Sequence, residues 1–189
     1  MRITAGIYKG RTVRTVEGPG YRPATAKVRE ALFSMLEARG VVWSDTRVLD
    51  LFAGSGSLAL ESLSRGAQHA TMVEMNRSAA RTIEKTMADL GIEPGVAVVA
   101  CTDIFPWLGK GPGKKEPFNL VFVDPPYGEN LAGRALNALG RKGWLAPGAV
   151  VAAEIEKNAV VPQLAAPFDL DVDRTYGQTR IVIWNTART

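Results

Sequence analysis

Crosslinking and soft metal-ligating residues are almost absent from this chain, which has one cysteine, Cys101, and one histidine, His69. A lone cysteine excludes an internal disulfide. With a single histidine beside it, a structural zinc site, which takes about four such ligands, is not expected either. A reducing compartment fits that usage. Long apolar runs are missing too. Nothing approaches the roughly 20 residues of a membrane-spanning helix, and Met1-Arg2-Ile3-Thr4-Ala5-Gly6 lacks the apolar stretch of a secretory signal. The expectation is a cytoplasmic protein with no membrane role and no metal.

What is present suffices for one core. With 189 residues, 46% of them hydrophobic, the chain can form a single α/β domain and bury about 70% of its unfolded surface. Its net charge of +4 is unevenly spread. Residues 1–40 hold eight basic side chains (Arg2, Lys9, Arg11, Arg14, Arg22, Lys27, Arg29, Arg39) against Glu17, Glu30 and Glu37, a balance of +5, so the other 149 residues sum to −1. A basic extension over 1–40 on a near-neutral body over 41–189 is the footprint of a protein that meets a polyanion with one face. A solvated surface rich in arginine would give the same count.

Residues 1–16 alternate loosely and predict a small hairpin with its turn near Lys9-Gly10-Arg11. After a loop punctuated by Pro19, Gly20 and Pro23, the positions Val28, Ala31, Leu32, Met35 and Leu36 repeat as the buried face of a helix. Thr25 would cap that helix, Gly40 would end it, and Lys27 and Arg29 would project from its outer side. Strands are predicted over 46–52, 69–73, 95–101 and 120–123, with helices over 58–64 and 76–90 between them. A helix over 130–139, a strand over 150–155 and a final hairpin around Tyr176-Gly177 bring the sheet to seven strands. The run from Gly109 to Lys115, with three lysines, reads as a solvated loop.

The first four strands each carry an acid at or near the carboxyl end: Asp50, Glu74, Asp103 and Asp124. Parallel strands joined by right-handed crossovers point one way, so all four acids are predicted along one edge of the sheet, where open α/β sheets bind ligands. Gly54 and Gly56 allow the turn after Asp50 to curve sharply and approach a ligand. An acid after the second strand can accept from both hydroxyls of a ribose, and one after the third from an adenine amino group. At the fourth, Asp124-Pro125-Pro126-Tyr127 is a stiff turn with free carbonyls. A carboxylate and a carbonyl can both accept from one planar NH₂ group while an aromatic ring stacks on the ring that bears it. Such an amine is a weak nucleophile because its lone pair is delocalised. Two acceptors that draw it towards tetrahedral geometry raise its reactivity.

On these residues alone a turn that merely ends a strand stays open. So does a nicotinamide enzyme, because Gly54-x-Gly56-x-x-Ala59 with Glu74 beyond it fits the loose dinucleotide fingerprint. Hydride transfer, however, has no evident use for Asp50 or for the Asp-Pro-Pro-Tyr turn.

In this order and spacing, Asp50-Leu51-Phe52-Ala53-Gly54-Ser55-Gly56, Glu74, Asp103 and Asp124-Pro125-Pro126-Tyr127 resemble the S-adenosylmethionine-dependent amino-group methyltransferases. The stretch from Arg22 to Phe33 and the stretch from Leu60 to Ala67 narrow the resemblance to the bacterial 16S ribosomal RNA guanine-N2 methyltransferases, over Arg2 to about Trp184. The resemblance implies a Rossmann-like seven-stranded methyltransferase sheet with helices on both faces and S-adenosylmethionine as methyl donor. It implies small-subunit ribosomal RNA or the assembling 30S subunit as the partner of a monomer. Asp50, Phe52, Ala53, Gly54, Ser55 and Gly56 would hold the methionine part of the cofactor, Glu74 its ribose hydroxyls and Asp103 its adenine, with Met75 and Ile104 beside them. Asp124 and the carbonyl of Pro125 would bind the guanine amino group, Pro126 would stiffen the turn and Tyr127 would stack on the base. Lys9, Arg11, Arg22, Thr25, Lys27 and Arg29 would face the RNA. Ala24, Ala26 and Lys27 stand where the family pattern has Thr, Asp and Arg, whereas Arg22, Thr25, Arg29 and Glu30 keep it.

Two other amino-group methyltransferases use a similar turn. Those acting on DNA adenine need an added target-recognition domain, for which the 62 residues after Tyr127 leave no room. Those acting on protein glutamine usually have Asn in place of Asp124. A non-catalytic assembly factor would have little reason to keep four acids on one rim.

Overall fold

The computed structural model describes residues 1–15, 26–113, 116–126, 130–164 and 168–187. Five strands, β1 (Arg47–Leu51), β2 (His69–Val73), β3 (Ala97–Ala100), β4 (Phe118–Val123) and β5 (Leu145–Glu156), run parallel. A closing hairpin, β6 (Phe168–Tyr176) and β7 (Thr179–Thr186), adds two antiparallel strands, with β7 inserted against β5. The order across the sheet is β3-β2-β1-β4-β5-β7-β6. It reverses its direction of growth between β1 and β4, and the crevice beyond their carboxyl ends is where a doubly wound sheet binds ligands.

The apolar runs explain why the sheet is covered on both sides. Along β4, Leu120 and Phe122 enter a core shared with α1 (Ala26–Ala38), α2 (Ser57–Ser64) and α3 (Arg77–Leu90), whereas Val121 and Val123 enter a second core with α4 (Ile104–Gly109) and α5 (Leu131–Arg141). The seven strands and helices on both faces agree with the sequence expectation. Two elements differ from it. Pairing of β5 begins at Leu145, through an irregular register opposite Phe118 and Leu120. The helix α4 had no periodic signal, being six residues long; Asp103 caps it by accepting from the Phe105 N–H at 2.9 Å, and Pro106 falls in its first turn, where a missing N–H costs little.

The start of the chain doubles back on itself, Arg2 bridging Thr12 in antiparallel fashion. Its turn spans residues 5–10, wider and earlier than expected, because Gly6 and Gly10 both take left-handed conformations with φ of 80°. Ile3 and Val13 are buried in the same core as α1, α2 and α3.

The buried stripe of α1 is also rotated from the expected one. It consists of Val28, Arg29, Leu32, Phe33 and Leu36. Arg29 therefore does not project outwards: it is 3% exposed, donates to the carbonyl of Arg2 at 2.7 Å and pairs with Glu61 at 3.8 Å. The 29, 33, 36 spacing carries this reading once Phe33 is counted in the stripe. Among the described residues no helix is long and apolar enough to cross a membrane.

Candidate active site

The turn after β1 is built by hydrogen bonds from below. Asp50 is 2% exposed, and its Oδ2 accepts from the N–H of Ala59 at 3.2 Å in the first turn of α2. Gly56, at the N-cap position with φ of 72°, has no side chain for that purpose. Burial pushes the Asp50 carboxyl up to about 7, against the lowering effect of the Ala59 bond and with a further rise from Glu74. Phe52 holds a left-handed conformation, φ 61°, rare for a residue with a side chain. Such strain, on the order of 1–3 kcal/mol, persists only where the surroundings impose it. Here the imposing bonds are Ala53 N–H to the Val73 carbonyl at 3.0 Å and Gly54 N–H to Glu74 Oε2 at 2.8 Å.

Glu74 is thus a brace as well as a rim acid. Its second oxygen accepts from the Asn76 N–H at 2.7 Å, so the carboxylate joins the loop after β1 to the loop after β2. Ser55 is half-buried, and a Cβ on Gly56 would stand 3.0 Å from Met72 Sδ and 3.1 Å from Ile83 Cγ2. Beside this brace Met75 is 73% exposed, an apolar side chain left uncovered at the rim. Asp103 is exposed and Ile104 buried.

At the end of β4, Asp124 is half-buried, Pro125 buried and Pro126 exposed. Burial raises the Asp124 carboxyl well above the ordinary range, and the neighbouring acids Glu154 and Asp50 raise it further. Tyr127, expected to stack on the base, lies outside the described residues, as do Arg22 and Thr25.

The structure therefore gathers Asp50, Phe52, Ala53, Gly54, Ser55, Gly56, Glu74, Met75, Asp103 and Asp124 at the carboxyl ends of β1 to β4, as the alternation of strands and helices required. Of the expected RNA contacts among the described residues, Lys9, Arg11 and Arg29 do not gather there. Lys27 is exposed in the first turn of α1. Arg29 is corrected to a buried ion-pair residue, since its guanidinium is spent on Glu61 and Arg2. Lys9 is exposed, and Arg11 donates to the carbonyl of Asp89 in the last turn of α3, at the end of the helix away from the rim. One acid was missed: Glu154 ends the apolar run Val150–Ala153 in β5, repeating the pattern of the other four.

A glycine turn braced by an acid, an acid after each parallel strand and an Asp-Pro-Pro turn at the switch point together define a Rossmann-like, S-adenosylmethionine-dependent type of methyltransferase. The fold is shared with SMU.776, named provisionally as a methyltransferase and solved with S-adenosylhomocysteine, at a TM-score of 0.63 and 14% identity over 88% of this chain and 50% of that one. The chain belongs to the family described as Conserved hypothetical protein 95, which matches residues 1–185. It is 38% identical over 178 residues to Ribosomal RNA small subunit methyltransferase D of Escherichia coli strain K12, covering 94% of this chain and 86% of that protein. The Escherichia coli protein yhhF, named provisionally as a methyltransferase, superposes with a TM-score of 0.86 at 36% identity, covering 100% of this chain and 99% of that one.

Proposed function

We propose that this chain transfers a methyl group from S-adenosylmethionine to the exocyclic N2 of a guanine in small-subunit ribosomal RNA. The carrying observation is the acid rim. Asp50, Glu74, Asp124 and Glu154 form no ion pair among the described residues, and burial raises three of them above the usual carboxylate range. A buried cluster of one sign asks for a cation. S-adenosylmethionine, with its sulfonium and its α-ammonium, fits that requirement on the side of Asp50 and Glu74, away from Asp124 and Glu154, and when bound it supplies an electrophilic methyl group.

The chain's own residues do the rest. The strained turn from Phe52 to Gly56 presents backbone to the methionine portion, and Glu74 retains lone pairs for ribose hydroxyls. Asp124 and the Pro125 carbonyl accept from the target NH₂, hold it in line with the methyl group and draw it towards tetrahedral geometry. As the nitrogen gains positive charge, Asp124 is the group placed to receive its proton, and burial makes it a stronger base than an ordinary carboxylate. A base stacked in RNA must first be turned out, at a cost of a few kcal/mol. The name of the relative at 38% identity supports the ribosomal RNA substrate, and the motif resemblance supports guanine N2.

The test is transfer from labelled S-adenosylmethionine to unmodified small subunits, free ribosomal RNA and duplex DNA, with nucleoside analysis of the product. N2-methylguanosine from the subunits or the RNA is expected, and Asp124→Ala should abolish it while calorimetry shows cofactor affinity within a few fold. Methyladenine in DNA would replace the substrate assignment, and lost cofactor affinity in the variant would remove Asp124 from its role.

A further inference from the structure

Register places a second carboxyl beside the catalytic one. In the parallel ladder of β4 and β5, Phe122 pairs with Ala152 and Val123 with Ala153. The next step sets Asp124 against Glu154, on strands about 4.8 Å apart. Alternation points both side chains to the face that carries Phe122 and Ala152, the face of α1, α2 and α3.

Glu154 is poorly satisfied where it stands. It is 6% exposed, and the Thr179 hydroxyl donates to its carboxyl, yet its Oε2 is buried with no hydrogen-bond partner. A buried acceptor left unpaired is rare in folded proteins and costs about 1–3 kcal/mol. Burial raises the group to about 7 against the lowering effect of the Thr179 bond. Across the ladder its neighbour is Asp124, so the missing donor can come from a group bound at the catalytic turn.

The chemistry of the base says which donor fits. The carbon that bears the guanine amine is flanked by two ring nitrogens, N1 and N3, and the one turned towards β5 meets Glu154; a carboxylate there favours the orientation that presents N1, since N3 carries only a lone pair. In guanine, N1 carries a hydrogen and sits directly beside the N2 amine, so the edge offers two adjacent donors. In adenine the atom next to the amine is N1 with a lone pair, which a carboxylate repels. We infer that Glu154 reads the N1–H of the target guanine through its unpartnered Oε2, and thereby restricts the Asp-Pro-Pro-Tyr turn to guanine. The inference rests on the guanine N2 reading above and names the residue that enforces it.

The probe is 2-aminopurine, which keeps the N2 amine but has a bare lone pair at N1. Small-subunit RNA carrying guanosine or 2-aminopurine at the target position, joined by splinted ligation and reconstituted into subunits, is compared for kcat/KM with wild type and Glu154→Gln. A site built on a hydrogen bond can reject the analogue lacking it by as much as about 10⁴–10⁵-fold. Wild type should therefore prefer guanosine strongly. In Glu154→Gln, whose amide N–H can donate to a bare N1, that preference should shrink at least about tenfold, with cofactor affinity unchanged by calorimetry. Glu154→Asp draws the acceptor back by one methylene and should lower transfer to guanosine about tenfold while leaving 2-aminopurine unaffected, which gives a second reading if the Gln variant fails to fold. If wild type makes N2-methylguanosine and the preference is the same in every folded variant, Glu154 is not the reader. If wild type makes no N2-methylguanosine, the guanine reading itself fails.

Discussion

Asp50 stays protonated near neutrality only while nothing cationic stands beside it. Between the ordinary carboxyl value of 3.8 and about 7 the folded protein holds a proton that the unfolded chain has already released. This group therefore lowers stability as pH rises through that window, and the loss is complete above about 7, on the order of a few kcal/mol. Asp50→Asn keeps an acceptor for the Ala59 N–H and removes the titration. Without cofactor, the variant should melt several degrees above wild type at pH 8, and the difference should vanish towards pH 4. A constant offset in thermal melts across that range would assign the effect to packing. The acid was legible in the sequence because a charge inside an apolar strand must be satisfied by something. Arg29 was not read as buried, because the helix was phased on Ala31 and Met35 instead of Phe33. Glu154 was visible as a fifth strand-end acid, but its unpaired oxygen is a property of three strands brought together.

Helix α2 does more than follow the glycine turn. Glu61, fully buried, accepts from the N–H of Thr4 at 2.8 Å, the Thr4 hydroxyl at 2.6 Å and the N–H of Ala5 at 3.0 Å, and it pairs with Arg65 at 3.1 Å as well as with Arg29. At the end of the helix the Ser64 carbonyl accepts from the Ile7 N–H at 2.7 Å, so close that a Cβ on Gly6 would stand 1.7 Å from it. Removing one partner of a buried pair leaves the other charge uncompensated, at about 3–5 kcal/mol. Glu61→Ala should therefore lower the melting midpoint by roughly 10 °C, whereas a shift of a degree or two would mean that water replaces the carboxylate. The helices and strands themselves were readable from periodicity. Their docking was not, since Thr4 and Glu61 are 57 residues apart and no local pattern links them.

Charge separates along the whole molecule. The pairs Arg29 with Glu61 and Glu37 with Arg65 show α1 and α2 running side by side in the same direction, which puts Lys27 at the rim end. Lys9 and Arg11 lie at the other end, with Arg11 on the last turn of α3. The +5 balance of residues 1–40 was countable from the sequence, but its division between two ends depends on how the arm folds back. For RNA binding, Lys27→Ala should reduce the slope of log affinity against log salt by about one contact, near 0.7–0.9, and Lys9→Ala should leave it unchanged. An equal reduction in both would mean that the RNA wraps to the far edge. The same arm imposes a schedule on synthesis: Arg11 must wait for Asp89, 78 residues later, and at about 5–20 residues per second that is roughly 4–16 s during which the arm lacks the partner that ties it to α3, although β3 to β7 are still to be made when that partner arrives.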